Sequence, residues 1–99
     1  MKVSFTPEAE EQVEASDTWW RENRKDAHDL FARELAATKA LLAISPKLGT
    51  IYTILDGRPM RRVLMAKTRH HVYYAADLDA GVIVIHAVWG APRGIEPTF

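Results

Sequence analysis

The chain has 99 residues, of which 47% are hydrophobic and 26% are charged, and it contains no cysteine. This length and composition predict one folded domain over residues 1–99 and exclude disulfides, thiolate metal sites and thiol nucleophiles. Thirteen basic and thirteen acidic side chains give a formal net charge of zero, which disfavours a protein that binds nucleic acid through bulk positive charge.

The N-terminal residues predict a short strand followed by a helix. Val3 and Phe5 alternate with polar residues, as in a half-buried strand. Thr6 and Pro7 then supply an N-cap and a first helical residue, and the acidic residues that follow suit the positive end of the helix dipole. The predicted inward stripe of this helix is Ala9, Val13, Ser16 and Trp20.

A second amphipathic helix is predicted after a break at residues 23–26, where Asp26 can serve as its N-cap. Two helices joined by so short a break are expected to form an antiparallel hairpin. No run approaches the roughly 18 apolar residues of a membrane span, and the N-terminus lacks a signal-peptide core, so we expect a cytoplasmic protein without membrane contact. The predicted inward face of the second helix is Leu30, Phe31, Leu35, Thr38, Leu41 and Leu42.

The second half of the chain predicts strands. Residues 50–59 fit either a strand and turn or an extended loop, closed by Asp56 and Gly57. The segments RRVLM, HHVYYAA and GVIVIHAVW have the β-branched and aromatic content of strands, and connections this short require antiparallel neighbours. We therefore predict an α+β fold with an N-terminal strand, an antiparallel helical hairpin and a three-stranded antiparallel β-meander packing on the helices.

The last predicted strand is apolar on both faces. Because a helical hairpin covers one face of a sheet only, the other face is either closed by residues 50–59 or left for a partner. Strict alternation places Ile83, Ile85, Ala87 and Trp89 on one face and Val82, Val84, His86 and Val88 on the other.

The hairpin RRVLMAKTRHHVYY, residues 61–74, is basic and contains no acid. Arginine and lysine side chains on a two-stranded ribbon form a surface complementary to phosphate or to acidic protein, and guanidinium groups can pair bidentately with carboxylates. The alternative is a hairpin kept soluble by charges at its edge. The four cations are Arg61, Arg62, Lys67 and Arg69.

The histidines do not predict a metal site. His70 and His71 are adjacent, so on a strand they point to opposite faces and cannot chelate one ion together. We expect one of them to be packed and the other solvated, and His86 to be a hydrogen-bonded core histidine. No metal or other cofactor is predicted.

The chain resembles the ParE branch of the RelE/ParE toxins, the toxic halves of type II toxin–antitoxin modules. The resemblance runs over about residues 3–97. It rests on the joint order of FTPEAEEQVEASDTWW, the RRVLxxxTRxHVYY hairpin and a closing AVWxAxRGxxP. It implies a toxin bound and neutralised by a cognate ParD-like antitoxin, whose C-terminal part wraps along the helical hairpin and the sheet in a hetero-oligomer.

The family contains two modes of action. ParE-like toxins typically poison DNA gyrase by binding, whereas RelE-like toxins cleave messenger RNA on the ribosome, using basic residues and a late tyrosine for acid/base chemistry. After Trp89 this chain offers only GAPRGIEPTF, without Tyr, His, Asp or Lys. We therefore predict a non-enzymatic gyrase inhibitor that has no sequence-specific nucleic-acid binding of its own. The alternatives are a RelE-type endoribonuclease and a non-toxic antitoxin-binding relative.

No catalytic residue is predicted, and the binding residues are chosen by type and position. Trp20 belongs to the inward stripe of the first helix, while Trp19 lies about 100° away and can meet a partner. The resemblance suggests that Tyr74 joins Val72 in the packed layer, which leaves Tyr73 beside Arg62 or His71 on a polar face only if the strand register allows, and the sequence alone does not show the register. The predicted target- or antitoxin-binding residues are Trp19, Arg61, Arg62, Lys67, Arg69, His71, Tyr73, Trp89 and Arg93.

Overall fold

The computed structural model describes residues 1–90 and 97–99, and the α+β class predicted from the sequence is confirmed. A five-stranded sheet has the order β1-β5-β4-β3-β2, in which β1 runs parallel to β5 and the other neighbours are antiparallel. The elements are β1 (Lys2–Phe5), α1 (Pro7–Asn23), a 3₁₀ turn (Lys25–Ala27), α2 (Leu30–Ile44), β2 (Thr50–Leu55), β3 (Arg58–Met65), β4 (His70–Asp77) and β5 (Val82–Gly90).

The start of α1 follows the sequence prediction. The Thr6 hydroxyl accepts a hydrogen bond from the Ala9 amide at 3.1 Å, which satisfies one of the unpaired N–H groups of the first turn. A side chain of the same helix also pairs with the backbone of β5 beyond the end of β1. The Val88 amide donates to the Gln12 side-chain oxygen at 2.8 Å, on a part of β5 that extends beyond its pairing with β1.

The second helix differs from the prediction in its N-cap residue and in the exposure of one predicted inward residue. It begins at Leu30 after the 3₁₀ turn, so Asp26 is not its N-cap. Leu41 is 55% exposed, because Leu42 occupies the buried stripe and the neighbouring residue is rotated by about 100°. That stripe consists of Phe31, Leu35, Thr38 and Leu42.

Residues 50–59 resolve the open choice in favour of a strand and turn. Leu55 pairs with Arg58, and the two residues between them have positive φ, 52° at Asp56 and 77° at Gly57, as in a type I′ hairpin turn. The antiparallel meander therefore has four strands, not the predicted three. Together with β1 this gives five strands, and β2 lies at one edge.

A β-bulge in β5 overturns the predicted alternation of its faces. Tyr73 pairs with Ala87 and Tyr74 pairs with Ile85, which leaves His86 as an extra residue. The extra residue shifts the alternation by one position, so side chains after the bulge lie on the face opposite to the predicted one. Ile85 packs beneath the helices, whereas Ala87 packs on the other side of the sheet.

Apolar side chains thus form two layers. The first, called the helix layer here, lies between the helices and the sheet, and the second lies on the opposite, open face. Buried members of the helix layer are Ala9, Trp20, Phe31, Leu35, Leu42, Met65, Val72, Tyr74, Ile83, Ile85 and Val88. Buried members on the open face are Met60, Tyr73 and Ala87, with Tyr52, Leu55 and Trp89 packed against them.

Gly49 fastens the start of β2 to the helix layer. Its amide donates to the Tyr74 hydroxyl at 2.8 Å, and its carbonyl accepts from the Arg61 guanidinium at 2.8 Å. A Cβ atom here would lie 2.5 Å from the Arg62 carbonyl oxygen, so no other residue fits without movement. Burial raises the pKa of Tyr74, against the opposing effects of the Gly49 amide and Arg61.

Candidate functional site

The predicted binding residues lie in three separate places. Arg61 lies at the junction of β3 with the start of β2, as described above. Arg62, His71, Tyr73 and Trp89 belong to the open face. Trp19, Lys67 and Arg69 line a groove at one end of the molecule. Arg93 lies outside the described residues.

The open face is ordered by strand register. Leu64 pairs with His71, and His71 pairs with Trp89, so these three side chains form one row across the sheet. In the next row Arg62 pairs with Tyr73, and its guanidinium carbon lies 5.2 Å from the centre of the Tyr52 ring. At this distance the cation interacts favourably with the aromatic face.

Tyr73 lies beside Arg62 and His71, but it is buried and not on an exposed polar face. Only 1% of its surface is accessible, because the Tyr52 ring lies 4.9 Å away and the Phe99 ring 5.6 Å away. The Tyr52 hydroxyl donates to the Pro97 carbonyl at 3.0 Å, which holds this cover in place. A partner that contacts Tyr73 must therefore displace part of the cover formed by Tyr52 and Phe99.

His70 and His71 point to opposite sides of the sheet, as predicted. The His70 ring lies 4.9 Å from Phe31 in the helix layer, whereas the His71 ring lies 6.0 Å from Tyr73 on the open face. Both are partly buried, so the expected contrast between a packed and a solvated histidine is wrong. In the part of the chain that the structure describes, no cluster of His, Asp or Glu could hold a metal ion.

His86, the bulge residue, contacts the same cover. Its ring lies 6.2 Å from that of Phe99, and its carbonyl accepts from the Thr6 hydroxyl at 3.4 Å. Burial lowers the pKa of His86, and the negative charge of Glu8 opposes this shift. The neutral imidazole is therefore favoured in the folded chain.

The groove at the end of the molecule, called the basic groove here, has a volume of about 700 Å³ and lies between α1 and the turn that joins β3 to β4. Trp19 is 49% exposed in it, and its ring makes an edge contact with Trp20 at 5.8 Å. The cations in its lining are Arg24, Lys67 and Arg69.

The turn that carries Lys67 and Arg69 is fixed by a residue that sequence reasoning missed. The Glu34 carboxylate in α2 accepts hydrogen bonds from the Lys67 amide, the Thr68 amide and the Thr68 hydroxyl, at 2.9, 2.9 and 2.6 Å. These contacts join positions 33 and 34 residues apart, so no local pattern could have signalled them.

A second groove separates the two helices. Its apolar floor includes the partly exposed Phe5 and Val13, one rim is acidic and the other carries Lys39. We call it the interhelical groove. The acidic rim consists of Glu10, Glu14 and Asp17.

Solved structures similar to this chain are RelE toxins. A chain of the archaeal RelE–RelB complex from Pyrococcus horikoshii OT3 matches with a TM-score of 0.63 and 12% identity, covering 94% of this chain and 97% of that chain. The isolated Escherichia coli RelE toxin matches with a TM-score of 0.59 and 14% identity, covering 94% and 86%. No protein-family model and no curated protein matches the sequence. At these identities the similarity establishes the fold, which is that of RelE toxins, in agreement with the superfamily resemblance.

No helix in the described residues is both long enough and apolar enough to cross a membrane.

Proposed function

We propose that this chain is the toxin of a type II toxin–antitoxin module, that it acts by binding DNA gyrase without bond chemistry, and that a cognate antitoxin neutralises it. The shared fold with RelE toxins, one of them solved in a complex with RelB, supports the module. The ParE-like hairpin sequence supports gyrase as the target. Because fold alone does not fix function, the argument against catalysis has to come from the residues.

The dispersal of the hairpin cations carries the non-enzymatic part of the proposal. Stabilising a scissile phosphate requires several donors aimed at one point. Here Arg61 bonds to the Gly49 carbonyl, Arg62 stacks on Tyr52, and Lys67 and Arg69 line a groove elsewhere. The four cations of the hairpin are therefore divided among three places, and no more than two of them line the same site.

The deciding experiment is a supercoiling assay with purified gyrase, relaxed plasmid and increasing amounts of this protein. We expect supercoiling to fall and linear DNA to accumulate when the reaction is stopped with detergent and protease, because a trapped cleavage complex releases broken DNA. A heat-denatured sample and a mixture with the antitoxin are the controls. Unchanged supercoiling at a large excess of protein would contradict the gyrase target.

The interhelical groove is the seat we propose for an antitoxin segment. Its floor is apolar, so the segment is expected to present an apolar face, and basic side chains would complement the rim of Glu10, Glu14 and Asp17. An acidic part of the same antitoxin would then meet the hairpin on the open face, at Arg62. The antitoxin thus needs both signs of charge.

Two matched variants test this seat. Ala36 lines the interhelical groove and Ala37 does not, yet both are exposed on α2. We expect Ala36→Arg to weaken antitoxin binding at least tenfold by filling the groove and repelling basic side chains, and Ala37→Arg to leave it unchanged. Calorimetric titration of the antitoxin into each variant measures the difference. Equal affinities would place the antitoxin elsewhere.

A RelE-type endoribonuclease is the second candidate. The two solved structures named above come from RelE toxins, and the open face carries Arg62 and His71, a cation and a potential general base. This alternative predicts cleavage of messenger RNA during translation in vitro, abolished by His71→Ala. Intact messenger, mapped by primer extension at toxin levels that stop cell growth, would exclude it. Normal growth with retained antitoxin binding would instead indicate the non-toxic relative.

A further inference from the structure

The basic groove combines three positive charges with exposed aromatic surface. Among the residues that the structure describes, its lining contains Arg24, Lys67 and Arg69 and no acidic side chain, although the chain as a whole is neutral. Trp19 presents about half of its surface beside them. Such a groove attracts an anion that also has a flat, stackable surface.

The groove is rigid on its sheet side. Glu34 holds the backbone of the turn by the three hydrogen bonds described above, and the Arg69 amide donates to the Met65 carbonyl at 2.9 Å. Arg69 itself has a φ of 61°, a left-handed conformation that is uncommon outside glycine. Strain of this kind persists where surrounding contacts fix it, and it is frequent at binding sites.

The helix side is ordered as well. Arg24 ends α1, where its amide bonds to the Trp20 carbonyl at 2.9 Å, and its guanidinium carbon lies 5.5 Å from the centre of the Trp20 ring. The Asn23 side chain bonds to the Trp19 carbonyl at 2.9 Å. The stacked Trp20 and Arg24 thus face the turn with part of their freedom already lost, and the Trp19 ring contacts the edge of Trp20 at 5.8 Å.

We propose that the basic groove binds single-stranded nucleic acid without sequence preference, with one base stacked on Trp19 and the flanking phosphates at Arg24, Lys67 and Arg69. An acidic peptide would satisfy the cations but would leave the indole without a stacking partner. The site is separate from the open face and from the interhelical groove, so it stands or fails independently of the target proposed above. Unpaired DNA and RNA share the required chemistry.

The test is fluorescence anisotropy of labelled ten-nucleotide dT and rU strands titrated with the purified protein. Contact with three phosphates predicts a salt dependence, log affinity against log salt concentration, with a slope of about −2. Trp19→Ala is expected to weaken binding by roughly five- to 160-fold, the range for loss of one stacked base, and Trp19→Phe to restore part of it. The double change Lys67→Ser and Arg69→Ser should reduce the slope to about −0.7.

Controls separate the groove from the rest of the surface. Lys47→Ser removes an exposed cation and Ile51→Ala an exposed apolar side chain, both outside the groove, and neither should change the affinity. A preference for dT or for rU would support the site and identify the source of the strand. Equal binding of an abasic strand, of duplex DNA, or of a polyglutamate peptide would overturn the proposal, as would unchanged binding by Trp19→Ala with an intact circular dichroism spectrum.

Discussion

The helix layer and the open face are built from alternate residues of the same strands, yet they are covered very differently. Two helices bury the helix layer, where Phe31 and Tyr74 are fully enclosed. On the open face Tyr73 is equally buried, but beneath Tyr52 and the C-terminal Phe99, which is itself 40% exposed. Equal burial of a side chain therefore does not mean equal strength of its cover.

The two faces therefore contribute differently to stability and to binding. Free energy of folding scales with the apolar area removed from water, so most of it comes from the helix layer. The open face adds less, and its cover can be displaced at lower cost. A partner that contacted Tyr73 would compete with Tyr52 and Phe99, whereas a partner that contacted Tyr74 would have to separate the helices from the sheet.

The largest expected effect comes from the helix layer. Phe31→Ala should lower the free energy of unfolding by about 3–5 kcal/mol, because it removes a fully buried ring and leaves a cavity. Leu41→Ala, on the exposed side of the same helix, should change it by about 0.5 kcal/mol or less. Urea unfolding followed by circular dichroism measures both. Similar losses in the two variants would contradict the assignment of faces.

The next largest effect is expected at the turn between β3 and β4, which Glu34 attaches to α2. Glu34→Ala should cost about 2 kcal/mol, because it leaves two amides and a hydroxyl of the turn without their charged acceptor. Glu34→Gln keeps one carbonyl oxygen and should cost less. Amide hydrogen exchange at Lys67 and Thr68 should rise in the alanine variant. Unchanged protection would show that the turn holds itself.

A smaller effect is expected from the cover of the open face. Phe99→Ala should lower the free energy of unfolding by only about 1 kcal/mol, since part of this ring is already exposed. It should also open Tyr73 to solvent. Nitration of Tyr73 by tetranitromethane, mapped by mass spectrometry, should therefore accelerate, while Tyr74 in the helix layer stays protected. Equal protection of Tyr73 in both proteins would mean that Tyr52 alone suffices.

The smallest effect concerns pH. Burial holds the pKa of His86 below its unfolded value near 6.5, so below that pH the unfolded state binds more protons than the folded one. Stability should thus be full above the unfolded pKa, fall as pH drops through it, and level off below the folded pKa. His86→Gln should remove this part of the pH dependence of urea unfolding as the pH falls below about 6.5. An identical pH profile would contradict burial as the cause.

Local signals in the sequence sufficed for much of the fold. Thr6 and Pro7 predicted the start of α1, because capping depends on neighbouring residues alone. Short connections predicted the antiparallel strands β3 to β5 for the same reason. Local signals do not decide whether residues 50–55 form a strand or a loop. A bulge at Tyr52 puts Ile51 and Ile54 on one side of β2 and so hides the alternation of a strand.

The parts that failed depend on distant contacts. Residues 82–85 and 87–89 are all apolar, so the sequence contains no information on which face each takes, and the bulge at His86 decides it through pairing with β4. For the candidate sites, Trp19, Lys67 and Arg69 could each be selected by type. The sequence does not predict that they line one groove. This arrangement requires α1 to pack beside the β3–β4 turn, which Glu34 of α2 holds in place.

The extra residue in β5 sets the two halves of one strand out of phase. Adding or deleting a residue at His86 would exchange inner and outer side chains for residues 87–90 and leave Val82, Ile83 and Ile85 where they are. The first half is constrained because it pairs with β1 and contributes Ile83 and Ile85 to the helix layer. In the second half the phase decides which side chains reach the outside, because it places Val88 beneath the helices and leaves Trp89 on the open face.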